Sequence, residues 1–135
     1  MHIPSSMLHG AICPVTSAVA GVGVLTAAYL ASKSQHKPSL IEFSSVTALV
    51  FGAQMLNFPI SGGTSGHLLG GMLAARLLGI PFAVISLSLV LAIQAVFFGD
   101  GGISTLGANI INMSIAGVVL GALIDRVLKK LKSNG

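Results

Sequence analysis

Long apolar runs separated by short polar segments dominate the pattern of this chain. A membrane-spanning helix requires about 20 apolar residues, because each residue advances about 1.5 Å through a hydrocarbon core roughly 30 Å thick. Five runs can be proposed, at residues 11–32, 40–58, 67–79, 82–98 and 104–123. The pattern therefore predicts an all-α membrane protein with about five transmembrane helices, forming a single domain over residues 1–135.

The third of these runs is too short to cross a membrane unaided. Its residues, about 13 in number, extend only about 20 Å as a helix. The preceding loop, residues 60–66, reads ISGGTSG. Non-helical backbone survives at membrane depth only when protein encloses it or it lines a polar cavity. We therefore expect this loop to dip inward before a short third helix and to form the floor of a cavity.

Composition and charge placement both favour a membrane location. The chain is 53% hydrophobic and 7% charged, whereas soluble domains carry about 25% charged residues. The net charge of +4 could suggest nucleic acid as a partner, but every Lys and Arg lies at the edge of an apolar run: Lys33, Lys37, Arg76, Arg126, Lys129, Lys130 and Lys132. Alternating spans place them all on one face, which the positive-inside rule assigns to the cytoplasm. This predicts a multi-pass protein of the plasma or inner membrane, in contact with lipid, with its N-terminus outside and its C-terminus cytoplasmic.

The predicted outer face carries a set of nitrogen donors. The amine of Met1, the backbone nitrogen of His2 and its ring Nδ1 can chelate one ion through two fused rings, and the large side chain of His2 predicts that Met1 is retained. His67 could supply a fourth nitrogen. A square-planar nitrogen set favours Ni(II) or Cu(II) over Zn(II), which prefers tetrahedral sites. The N-terminus and the loop before the third run together therefore form a candidate transition-metal site.

Three polar residues near His67 could orient the histidine rings through hydrogen bonds. They are Asn57, Thr64 and Ser65, and the alternative is that they only cap and turn the loop. The histidines have structural alternatives as well. Residues near a chain end, such as His2, are often disordered, and His67 could simply bond a neighbouring carbonyl. Their placement on one predicted face favours the metal site.

The remaining reactive residues give weaker signals. His9 lies near the outer face and is a minor candidate for metal capture, whereas His36 lies in the cytoplasmic loop and is no ligand. Cys13 is the single cysteine and is expected to pack. Glu42, Asp100 and Asp125 are spread over both faces, so no carboxylate pair is available for acid-base catalysis.

The loop GGTSGH carries no enzyme motif. A phosphate-binding loop would need a lysine, and a nucleophile elbow would need glycine where His67 stands. We therefore expect a protein that is not an enzyme. A non-transporting membrane scaffold stays open as an alternative, and a channel or proton carrier is disfavoured because no acidic residue lies convincingly in the middle of a span.

Three stretches together resemble the substrate-binding component of energy-coupling factor transporters for cobalt and nickel. They are MHIP at the start, MLNFPISGGTSGHLLGG at residues 55–71 and FFGDGGISTLGANIINM at residues 97–113. The resemblance implies that Met1, His2 and His67 hold Ni(II) or Co(II) as the transported substrate, with no organic cofactor. It also implies partners, namely a transmembrane coupling protein and two cytoplasmic ATPases whose ATP hydrolysis drives release inward.

The chain departs from that family in two respects. An acidic residue and a glycine usually follow MHIP, where this chain has Ser5 and Ser6. Members also usually continue through about two further membrane helices. We therefore expect a fragment, a shortened relative completed by another subunit, or a relative that has lost transport.

Overall fold

The computed structural model describes residues 2–60 and 64–133 and is built almost entirely of helices. The helices are α1 (Ile12–Lys33), α2 (Leu40–Met55), α3 (Gly71–Leu78), α4 (Ile80–Ile93), α5 (Leu106–Asn109) and α6 (Gly117–Ser133). One π-helical segment, Gln94–Phe98, extends α4, and another, Ile110–Ala116, joins α5 to α6. The predicted all-α class is confirmed.

Three continuous helices in the described part of the chain are long and apolar enough to cross a membrane. They are α1, α4 with its π-helical extension, and the helix running from Leu106 to Ser133. The helix α2 is apolar but shorter, and α3 has only 8 residues. The short third helix of the prediction is therefore present, between α2 and α4 along the chain.

The helix α4 forms the centre of the bundle. Its sequence, IPFAVISLSLVLAI, is apolar on every side, which is typical of a helix surrounded by others. The core cluster combines its residues Ala83, Val84 and Leu87 with one buried side chain from each surrounding helix: Ala27 of α1, Val50 of α2, Ala74 of α3 and Val118 of α6. The central helix thereby fixes the positions of the elements that carry the polar residues.

Small residues allow α3 and α6 to approach closely. A Cβ atom added at Gly71 would lie 2.6 Å from the backbone carbon of Gly117, and one added at Gly121 would lie 2.7 Å from the Cα of Met72. Close backbone approach through small residues is the usual way in which helices associate in lipid. These glycines hold the short helix α3 against α6.

A two-stranded antiparallel hairpin lies between α2 and α3. It pairs β1 (Phe58–Ile60) with β2 (Thr64–Gly66), Phe58 lying opposite Gly66. The third helix was predicted to begin at His67, and this boundary is wrong: α3 begins at Gly71, after Gly70 with φ of +77°. That left-handed conformation cannot belong to an α-helix, so His67 lies in the connection between β2 and α3.

The C-terminal helix extends further than the sequence predicts. The fifth run was expected to give way to a charged tail near residue 123, but α6 continues through Ser133. Lys129 Nζ lies 2.6 Å from Asp125 Oδ2, one helical turn earlier, and such pairs stabilise a solvated helix. The helix therefore continues past the end of its apolar segment.

The basic residues gather at one end of the bundle. Arg76, near the end of α3, lies 3.5 Å from the carboxylate of Asp125 in α6. One surface cleft lies between the loop that contains Lys37 and the start of α4 at Pro81. Pro81 also lines a second cleft, together with Arg76 and Lys129. The chain start, the hairpin and the far end of α4 lie at the opposite end.

Candidate metal site

The segment that carries His2 is fixed to the bundle through its neighbour Ile3. The Ile3 N–H donates to Asn109 Oδ1 at 2.8 Å, and the Ile3 carbonyl accepts from Asn109 Nδ2 at 3.2 Å and from Thr105 Oγ1 at 2.7 Å. Three hydrogen bonds to one residue hold its backbone in place. These contacts disfavour the alternative that His2 belongs to a disordered chain end.

The ring of His2 is buried, with 4% of the side chain exposed. Its Nε2 lies 3.1 Å from Gln94 Oε1. An amide oxygen only accepts hydrogen bonds, so Nε2 carries the proton and Nδ1 carries a lone pair. Burial lowers the pKa of His2 below its usual value, an effect that outweighs the opposing influence of the nearby Asp100 carboxylate. The ring is thus held in the neutral form that metal ions bind.

The ring of His67 is oriented by its own backbone. Its Nδ1 lies 2.9 Å from the Leu68 carbonyl oxygen, which can only accept, so Nδ1 donates and Nε2 carries the lone pair. The rings of His2 and His67 stack with centroids 5.2 Å apart and planes inclined by 27°. The fold therefore brings the two predicted histidines together, each with one nitrogen lone pair available.

Buried polar atoms without hydrogen-bond partners concentrate at this position. Within residues 2–60 and 64–133, His2 Nδ1, His67 Nε2 and Asp100 Oδ2 are buried and make no hydrogen bond, the other such atom being Gln54 Oε1. Leaving such a group unsatisfied costs about 1–3 kcal/mol. Three of them in one place indicate a site that a ligand completes.

Nδ1 of His2 and Oδ1 of Asp100 lie 3.0 Å apart, yet no hydrogen bond of acceptable geometry joins them. The two atoms are not aligned for a hydrogen bond, and both are acceptors when Nε2 holds the ring proton. Two facing acceptors repel each other unless a cation lies beside both. The electrostatics of the pair therefore favour a bound cation.

Four residues that hold this arrangement were not singled out from the sequence. They are Gln94, Asp100, Thr105 and Asn109. Gln94 begins one π-helical segment and Asn109 immediately precedes the other, and π-helical turns occur often at functional sites. Apart from Gln94, these residues lie in the stretch FFGDGGISTLGANIINM, residues 97–113. That stretch supports the family resemblance, but the sequence alone did not indicate what its polar residues bind.

The glycines of the GDGG turn, residues 99–102, leave room for the start of the chain. A Cβ atom at Gly102 would lie 2.9 Å from the backbone nitrogen of Ser5, and one at Gly101 would lie 3.3 Å from the Cβ of His2. Gly101 also has φ of +85°, a conformation that glycine adopts without strain. The turn thus allows the segment with His2 to lie directly against the bundle.

Of the other predicted site residues, the structure describes the side chain of Asn57 alone. Met1 lies outside the described residues, as do the side chains of Thr64 and Ser65, although the backbone of both forms part of β2. Asn57 is exposed, and in the described part of the chain its side chain makes no hydrogen bond with either histidine. The ligand role of Met1 therefore stays a prediction, as does the role of Asn57, Thr64 and Ser65 in orienting the histidine rings.

The weaker candidates lie apart from the site. His9 is exposed, and its Nε2 lies 2.9 Å from the Ser6 carbonyl oxygen. Cys13 is a free thiol whose Sγ lies 3.5 Å from the carbonyl oxygen of Leu8. Both make local contacts of the kind expected of structural residues.

A family model described as the cobalt uptake substrate-specific transmembrane region matches residues 2–135. The chain belongs to this family. The predicted resemblance to cobalt and nickel transport components is thereby confirmed. With its long apolar helices, this member of the cobalt uptake family is a multi-pass membrane protein.

Relatives of the cobalt uptake family align along nearly the whole chain. A putative fused nickel transport protein of Archaeoglobus fulgidus is 41% identical over 130 residues, which are 96% of this chain and 43% of that protein. A cobalt transport protein of Lachnoclostridium phytofermentans is 34% identical over 139 residues, covering 99% of this chain and 54% of that protein. The chain thus spans about half the length of these relatives. They are named as transport proteins, in agreement with the expectation that the chain is not an enzyme.

A solved structure confirms the fold of this family member. The crystal structure of a truncated transition metal transporter superimposes with a TM-score of 0.89 at 41% sequence identity. The match covers 98% of this chain and 62% of that chain. The helical arrangement described above is therefore that of a known metal transporter.

Proposed function

We propose that the chain captures Ni(II) or Co(II) at the extracytoplasmic end of its bundle, as the substrate-specific part of an energy-coupling factor transporter. The observation that carries the proposal is the pairing of His2 and His67, whose rings stack 5.2 Å apart with buried, unpartnered nitrogens. Membership of the cobalt uptake family supports the same function. The names of the relatives include both nickel and cobalt, so both ions are proposed substrates.

The proposed ligands are four nitrogen atoms. They are the amine of Met1, the backbone nitrogen of His2, its Nδ1, and Nε2 of His67. The tautomers described above support the last two, because each leaves the required lone pair free. Imidazole nitrogen is a good ligand for first-row metals of this kind, and a planar nitrogen set suits Ni(II) in particular.

The orientation of the chain follows from the two ends of the bundle. The Lys and Arg residues lie at one end, which the positive-inside rule assigns to the cytoplasm. The histidines lie at the other end and therefore face the outside, where the ion is captured. Delivery inward would require the transmembrane coupling protein and the cytoplasmic ATPases that the family resemblance implies.

Isothermal titration with Ni(II) tests the proposal. The protein is purified in detergent with Met1 as its free N-terminus and compared with His67→Ala and with a variant extended by residues before Met1. Loss of a residue that hydrogen-bonds a metal ligand typically lowers metal affinity by about 10–100-fold. Loss of a ligand itself should weaken Ni(II) binding at least as much. The exposed histidines offer matched controls, since His9→Ala and His36→Ala should bind like the wild type. Equal affinity in all variants would leave a non-transporting scaffold as the better description.

A further inference from the structure

We infer that Asp100 supplies an oxygen donor to the captured ion, and that this donor sets how well the site accepts Co(II) relative to Ni(II). The inference rests on the function proposed above. Asp100 belongs neither to the predicted ligand set nor to the predicted hydrogen-bond partners of the histidines. Its position in the structure nevertheless places a carboxylate oxygen beside a proposed ligand.

The separation of the two atoms fits a shared ion. Two donors bound to one metal at a right angle, each with a bond of roughly 2.1 Å, lie about 3.0 Å apart. Nδ1 of His2 and Oδ1 of Asp100 lie 3.0 Å apart. They can therefore bind the same ion as adjacent ligands without movement of either residue.

No proton accounts for this approach. Nε2 of His2 faces the amide oxygen of Gln94 and carries the ring proton, so Nδ1 carries a lone pair that lies beside the carboxylate without being aligned with it for a hydrogen bond. A metal ion that accepts both lone pairs would turn a repulsive contact into two bonds.

The carboxylate of Asp100 is held in place by the fold. Its backbone N–H donates to the Gln94 carbonyl at 3.1 Å, which closes the turn after the π-helical segment. The flanking Gly99 and Gly101 have φ of +64° and +85°, conformations that larger residues adopt only with strain. The turn therefore presents Asp100 to His2 in a defined direction.

The same carboxylate lacks a compensating basic side chain. Only 27% of its side chain is exposed, and Oδ2 is buried without a partner in the described part of the chain. Among the described Lys and Arg residues, Arg76 and Lys129 form ion pairs with Asp125, at the other end of the bundle, and none pairs with Asp100. A partly buried carboxylate with no cation beside it among residues 2–60 and 64–133 is costly, and a bound dication would remove that cost.

The added oxygen should matter more for one ion than for the other. Ni(II) is well served by nitrogens in a plane, so an oxygen above that plane adds little beyond its charge. Co(II) gains more from an oxygen that raises its coordination number. The negative charge attracts both ions equally, so the donor effect is seen in the ratio of the two affinities.

Titration of the Asp100→Asn variant with Co(II) and with Ni(II) separates these effects. The amide keeps the size of the side chain while removing its charge and most of its strength as a donor. Co(II) affinity should fall by about tenfold or more and by a larger factor than Ni(II) affinity. The visible absorption of bound Co(II) should also change, since its intensity depends on the ligand set. Retained Ni(II) binding would show that the variant is folded.

Glu42→Gln is the matched control. Glu42 is exposed at the start of α2, where it accepts a hydrogen bond from the Ser39 N–H, and glutamine serves equally well in this capping position. The control should leave both affinities unchanged. Equal loss of Co(II) and Ni(II) affinity in Asp100→Asn, or no loss at all, would overturn the donor role. A wild-type protein that binds neither ion would instead overturn the proposed function itself.

Discussion

The imidazole rings of His2 and His67 stack with their centroids 5.2 Å apart, although one precedes α1 and the other follows the hairpin before α3. Two chain segments with no regular structure of their own are thus brought together at one end of the bundle. The hydrogen bonds of Ile3 position the first, and the close packing of α3 on α6 positions the second. The contact between the rings therefore depends on elements that contain neither histidine.

Asn109 is predicted to position the first histidine. The Asn109→Ala variant removes the side chain that bonds both the N–H and the carbonyl of Ile3, so the segment with His2 should become mobile. Ni(II) affinity should fall by about tenfold, and hydrogen exchange at the chain start should increase. Asn112→Ala is the control, because Asn112 is exposed in the same helical region. Unchanged exchange and affinity in Asn109→Ala would refute the positioning role.

Gln94 is predicted to select the tautomer of His2. In Gln94→Ala the ring loses the acceptor for its Nε2 proton, so the proton can move to Nδ1 and block the proposed ligand atom. Ni(II) affinity should fall by about 10–100-fold, the range typical of outer-shell partners of metal ligands. Calorimetry on this variant is compared with Gln35→Ala, which alters an exposed loop glutamine. Equal affinities in the two variants would show that Gln94 has no such role.

Gly71 is predicted to be required for the contact between α3 and α6. The Gly71→Ala variant places a methyl group 2.6 Å from the backbone of Gly117, and overpacking of this kind costs about 1–3 kcal/mol. Thermal unfolding in detergent should show a lower midpoint. Gly52→Ala is the control, because its added Cβ would meet no atom within 4 Å. A midpoint no lower in Gly71→Ala than in the control would refute the close packing.

The orientation of the bundle predicts which end a reagent outside the cell can reach. Single cysteines are introduced at Ile103, exposed at the end with the histidines, and at Ser34, in the loop at the basic end, both in a Cys13→Ala background. A membrane-impermeant maleimide should label Ile103→Cys on intact cells and Ser34→Cys only after permeabilisation. The reverse pattern would place the histidines in the cytoplasm and contradict capture from outside.

Much of the fold could be predicted from hydrophobicity alone. The all-α class and the short third helix follow from the lengths of the apolar runs. The start of α3 did not follow, because its sequence context looks helical from His67 onward and only the left-handed backbone at Gly70 delays the helix. Local pattern does not reveal such a conformation, since any glycine could adopt it.

The candidate site was predictable in its histidines but not in their surroundings. His2 and His67 stand out among the four histidines because both fall on the predicted outer face and in stretches that resemble the family. Gln94 and Asp100 do not, since their contact with His2 depends on a π-helical turn and on the approach of a distant chain segment. Such tertiary contacts are set by packing across the bundle, which no spacing along the sequence encodes.

X-ray absorption spectroscopy of the Ni(II)-loaded protein tests the central claim most directly, because scattering from imidazole rings reports how many histidines bind the ion. The proposed ligand set predicts two imidazoles in the wild type, one in His67→Ala and two in His9→Ala. A spectrum without imidazole scattering, or one that does not change in His67→Ala, would contradict the claim that His2 and His67 hold the metal together.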